Sequence, residues 1–193
     1  MARNRGNFIN IWEVVDLGRR EVRNAAILAW LLNPRGNHGQ GSSILQELMS
    51  RVELIDSAWK LERAVLARAR VKAELRPLGS DRDRVDISID GPNFAIFIEV
   101  KIDATEGERQ LSRYTEAAVA RAAARARACD QDLRPLVILL SPRGPAELVP
   151  GLIHLAWNDV ALALTGASAR SEGLARHFIR SFSTHIRAFT PKE

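Results

Sequence analysis

The stretch FAIFIEVKID, residues 94–103, reads as a buried β-strand interrupted by one carboxylate, Glu99, and one ammonium, Lys101. Side chains along a strand alternate between two faces. Ile96, Ile98, Val100 and Ile102 therefore share one face, and Phe97, Glu99 and Lys101 share the other. Glu99 and Lys101 point the same way, about 7 Å apart along the strand. The preceding RVDISID alternates in the same manner, with Val85, Ile87 and Ile89 on one face and Asp86, Ser88 and Asp90 on the other. The turn DGPN makes a hairpin of the two strands, which can set Asp86 beside Glu99 and Lys101.

Two carboxylates at one spot repel, and each raises the other's pKa unless a cation sits between them. Mg²⁺ prefers such hard oxygen ligands and is typically held by one or two carboxylates plus a phosphate. It polarises a phosphoryl oxygen and lowers the pKa of a bound water. A neighbouring lysine can orient that water or offset the charge growing on phosphorus. Metal-assisted phosphodiester hydrolysis is the chemistry implied. The plainer alternative is a surface hairpin with a solvated ion pair, worth about 0–1 kcal/mol.

The elements that must position these residues follow from periodicity. REVRNAAILAWLL carries a broad apolar face at helical spacing, and NPRGNHGQG then breaks it with Pro34 and its glycines. Ser42 or Ser43 can cap a second helix, with Ile44, Leu45, Leu48, Met49 and Val52 on one side, continuing with interruptions to about Glu62. LARARVKAEL alternates Ala67, Ala69, Val71, Ala73 and Leu75 with charged residues, a strand pattern for which helix is the competitor. After the hairpin, a polar and Ala-rich segment from about Glu106 to Cys129 reads as a helix. LVILLS is the continuous apolar run of a strand covered on both faces. HLAW is a further short strand, with Asn158 or Asp159 capping the next helix. The final segment spaces Leu174, Phe178, Ile179, Phe182, Ile186 and Phe189 as one helical stripe. The result is a mixed α/β fold.

This arrangement resembles a known family. Asp86, twelve intervening residues and Glu99-Val100-Lys101 look like the signature of the PD-(D/E)xK nuclease superfamily, and the α-β-β-β-α-β order resembles its restriction-endonuclease-like core. QLSRY supplies Gln110 and Tyr114, similar to the QxxxY element of the RecB-like branch. EVRNAAILAWLLNPRGNHGQG resembles the N-terminal part of an uncharacterised bacterial branch, with Glu21 matching its helical glutamate. Two departures stand out: Val85 replaces the signature proline, and Asn24 stands where that branch often has histidine. The resemblance implies a central mixed sheet flanked by helices, with extra N- and C-terminal helices. It implies Mg²⁺, with Mn²⁺ substituting, held by Asp86, Glu99, the Val100 carbonyl and Glu21. Lys101 would act on the attacking water, and Gln110 and Tyr114 would steady the site or contact the DNA backbone. Arg84, Arg109 and Arg113 are candidate phosphate contacts.

The bulk numbers agree without deciding. At 193 residues a single domain is expected: a helical part over 1–62, a catalytic core over 66–141 and a C-terminal strand with helices over 153–190. With 28 Lys+Arg against 23 Asp+Glu, the net charge of +5 favours phosphate-bearing partners only slightly. The lone Cys129 excludes an internal disulfide or a multi-cysteine zinc site. No apolar run approaches a membrane span and the start lacks a signal-peptide core, so a cytoplasmic location is expected. His38, His154, His177 and His185 show no ligand spacing and read as structural. The expected activity is a Mg²⁺-dependent DNA nuclease. The alternative is an inactive or partner-dependent nucleic-acid-binding protein on the same fold, and whether it forms a homodimer or needs a partner protein stays open.

Overall fold

The computed structural model describes residues 9–75, 85–103, 115–116, 119–120, 123–124, 133–145 and 151–189. Five strands form one sheet in sequence order: β1 (Arg70–Leu75), β2 (Val85–Asp90), β3 (Phe94–Val100), β4 (Arg134–Leu140) and β5 (Leu152–Leu155). The first three are antiparallel neighbours, whereas β3, β4 and β5 run parallel. The alternation of the hairpin sets its register, with Ile87 opposite Ile98 and Ile89 opposite Ile96. A parallel step requires a crossover, and between β3 and β4 residues 115–116, 119–120 and 123–124 are helical. The rest of the helix expected over 106–129 lies outside the described residues. Leu136 to Leu140 are all buried, as a strand covered on both faces requires.

The main core lies on the face of Ile87, Ile96, Ile98 and Val100. Over it pack α2 (Glu21–Leu32), α3 (Ser43–Ile55), α5 (Trp157–Ala169) and α6 (Gly173–Ile186), while the short α1 (Ile11–Val14) leans on α6. Phe97, Val137 and Val85 form a smaller cluster with Leu152. The alternation had placed Val85 with Ile87. Val85 is in register with Leu75 of β1, while the ladder to β3 begins at Ile87.

Element ends depart from the periodicity in four places. The helix expected to continue towards Glu62 stops at Ile55, because the Asp56 carboxylate accepts from Ala58 N and starts a 3₁₀ turn over Ser57–Trp59. In LARARVKAEL both readings apply in part: α4 (Arg63–Leu66) takes the front and the strand begins at Arg70. HLAW is not all strand. β5 is LIHL, and Trp157 opens α5, whose start is fastened by Asp159 Oδ2 accepting from Ala156 N at 2.9 Å. Leu174 sits in the first turn of α6 and is exposed, outside the buried stripe of Ile179, Phe182 and Ile186.

Candidate active site

The acids singled out in the sequence lie around the C-terminal end of β3. Where the β2–β3 register ends at Ile87 and Ile98, Asp86 Oδ2 accepts from Val100 N at 2.9 Å. Glu21, the first residue of α2, reaches across with Oε1 to accept from Ile102 N at 2.7 Å. Between them, Lys101 Nζ lies 2.7 Å from Glu99 Oε1. Three carboxylates thus hold three successive residues, Val100, Lys101 and Ile102. Asp86 does so through its strand, Glu21 through the start of a helix, and Glu99 through its own position two residues before Lys101.

The Glu99 side chain is 4% exposed and that of Lys101 14%, so this is not the solvated surface pair of the plainer reading. Burial pulls the Lys101 pKa down, but the hydrogen bond and charge of Glu99, with the charges of Asp86 and Glu21, outweigh it and hold the ammonium above its ordinary range. One cation therefore feels all three acids.

Backbone bonds fix the same point. Lys101 N donates to Leu140 O at 2.8 Å, and the Trp157 indole Nε1 donates to Lys101 O at 2.8 Å. Arg19 donates from Nη2 to Ile102 O at 3.1 Å and from Nε to the Asp103 carboxylate at 2.9 Å. Neither Trp157 nor Arg19 emerges from the sequence as a supporting residue. HLAW reads as a short strand, and no local spacing ties position 157 to a carbonyl 56 residues earlier.

Asn24 is fully buried and secures the same helix start as Glu21: its Nδ2 donates to Gly18 O at 3.1 Å and Arg20 O at 3.0 Å, and its Oδ1 lies 3.2 Å from His185 Nε2. All four histidines bond a backbone carbonyl through Nε2: His38 to Asn33, His154 to Ser141, His177 to Ile9 and His185 to Gly18. Arg84, Arg109, Gln110, Arg113, Tyr114 and Cys129 lie outside the described residues.

A family model of the PD-(D/E)XK nuclease superfamily matches residues 9–148. The chain belongs to that superfamily. Its members are generally nucleases, phosphodiester hydrolases acting on nucleic acid, and they typically use divalent metal ions. The matched span holds Glu21, Asp86, Glu99 and Lys101, while Trp157 and the two C-terminal helices lie beyond it. Comparisons with curated proteins and with solved structures returned no match.

The donor set suits a divalent ion of the kind the superfamily uses. It consists of carboxylates and a main-chain carbonyl, all hard oxygen, and the raised Lys101 pKa shows a local field that favours positive charge. Among the described residues, no three His, Cys, Asp or Glu side chains converge as a ready-made cluster. Glu99 is turned onto Lys101 instead. No helix of the described residues is long and apolar enough to cross a membrane.

Proposed function

We propose that this protein is a Mg²⁺-dependent DNA nuclease whose site is Asp86, Glu99, Lys101 and Glu21. The observation that carries the reading is the gathering of three carboxylates around a buried, charge-retaining lysine at the end of β3. A bound divalent ion, with Mn²⁺ able to replace Mg²⁺, would polarise the scissile phosphate and acidify a water. Asp86, Glu99 and the Val100 carbonyl would hold it, with Glu21 as a further partner. Asp86 and Glu21 also keep the strand end in place through Val100 N and Ile102 N. Lys101 stays protonated at neutral pH. On release from Glu99 it can donate hydrogen bonds to the attacking water or to a phosphate oxygen and offset growing negative charge. Gln110 and Tyr114 remain proposed as steadying residues, and Arg84, Arg109 and Arg113 as phosphate contacts.

The test is cleavage of DNA with Mg²⁺ or Mn²⁺ by wild type, Asp86→Ala and Lys101→Ala. Activity that survives in both variants at the wild-type rate refutes the assignment. The Glu99–Lys101 pair favours one second reading: a nucleic-acid-binding protein in which this ion pair keeps the site closed until a partner arrives. Salt-sensitive binding without metal-dependent cleavage would support that instead.

A further inference from the structure

Edge strand β1 presents an unpaired basic line on the same face as the acids. Between Glu62 and Glu74 the chain carries Arg63, Arg68, Arg70 and Lys72 and no acid. Lys72 stands opposite Ser88, which stands opposite Phe97, and Arg70 stands opposite Asp90. Directly opposed residues project to one face, so Arg70 and Lys72 share the face of Phe97, and by alternation that of Asp86 and Glu99. The intervening residues turn the other way: Ala69 is fully buried and Val71 packs against the main core. Arg68, Arg70 and Lys72 are all exposed, and among the described residues their side chains make no hydrogen bond or ion pair.

Direction adds to position. β1 runs antiparallel to β2, from Arg70 opposite Asp90 towards Leu75 opposite Val85. Same-face residues step about 7 Å along a strand, so the cations advance towards Asp86. A cluster of acids repels a polyanion, and an adjacent cationic surface is what lets one approach. Guanidinium forks and the lysine point charge both suit phosphate oxygens. Charged residues on an edge strand also discourage sheet-to-sheet pairing, but that purpose would be served on either face and would leave nucleic-acid affinity unchanged when the charges are removed.

We propose that Arg68, Arg70 and Lys72 form a phosphate-backbone track that leads a nucleic-acid strand along β1 to the acids at the end of β3. The proposal rests on the nuclease reading of that site. The experiment is fluorescence anisotropy of labelled single-stranded and duplex DNA across a salt series, in EDTA so that no cleavage intervenes. Wild type is compared with Arg70→Ala/Lys72→Ala and with Arg35→Ala/Arg180→Ala. Both double variants lose two positive charges. The second pair is equally exposed but sits in the loop after α2 and on α6. Loss of the track residues is expected to weaken binding on the order of tenfold at low salt and to flatten the log K against log salt slope by about two. The control should match wild type, and thermal melts of both should confirm folding. Equal weakening in the two variants, an unchanged slope in the track variant, or no DNA binding by wild type overturns the track. A wild type that binds with the expected slope but never cleaves with metal refutes the nuclease reading and leaves the track standing.

Discussion

Lys101 and Glu99 show why a buried pair differs from the same residues on a surface. Removing one partner strands the other in a site that excludes water, which costs about 3 kcal/mol or more. Lys101→Met is therefore expected to lower stability by about that amount in urea denaturation. The Lys101→Met/Glu99→Gln double variant should recover part of it, and additive losses in that cycle would show the pair to be uncoupled. Because the folded pKa of Lys101 lies above its unfolded value, its contribution is present below the unfolded pKa and fades as pH rises through the folded one. His38 acts at the other end of the scale. Burial lowers its pKa from 6.5 against the opposing pull of its backbone bonds to Asn33 and Trp30. Its ring is held as the neutral form, with Nε2 on Asn33 O at 2.9 Å and Nδ1 accepting from Gln40 N at 3.1 Å. Protonation would turn Nδ1 into a donor facing another donor. Burial likewise lowers the His185 pKa. A lowered folded pKa means stability that is full above the unfolded value and lost as pH falls through the folded one. Thermal melts should accordingly drop as pH falls below about 6.5, less so in His38→Gln, and a melting temperature flat across that window would contradict it.

Strands were easier to read than element ends. Period-two alternation is a property of each strand alone, so the faces of β3, and those of β2 beyond its first residue, follow from local sequence. Where an element stops depends on which group satisfies its last backbone donors. Asp56 ends one helix and Asp159 begins another by hydrogen bonds that compete with propensity. The end of β3 shows the same logic at longer range. Its final residues are held by α2 through Glu21 and by α5 through Trp157. Trp157→Phe keeps the ring's packing on Phe189 but removes the indole donor to Lys101 O. Chemical denaturation should register a loss of about 1–2 kcal/mol, and nuclease activity should fall further than stability accounts for. Wild-type stability in that variant would show that the bond contributes nothing.

At the scale of the sheet, α2, α3, α5 and α6 pack on one face, and Phe97, Asp86, Glu99 and Lys101 belong to the other. Helices α2 and α5 lend that second face its supports from the core side. If the carboxylates take a divalent ion in the native state and not in the unfolded chain, Mn²⁺ at about a hundred times its dissociation constant should stabilise the fold by about 2.7 kcal/mol. Calorimetry should show a rise in melting temperature that EDTA reverses and that Asp86→Asn/Glu99→Gln abolishes. An equal rise in that double variant would place the ion elsewhere.

The sequence by itself determined the alternating hairpin, the buried strand β4 and the acid–lysine pattern, because each rests on spacing along neighbouring strands, whereas Glu21 became a candidate through the family resemblance. Tertiary structure alone decided that Glu21 grips Ile102, that Trp157 holds the Lys101 carbonyl, and that the ion pair of FAIFIEVKID is buried. It also decided that the cations of β1 face the acids. Those contacts join residues far apart along the chain, and only packing and strand register bring them within hydrogen-bonding or electrostatic reach.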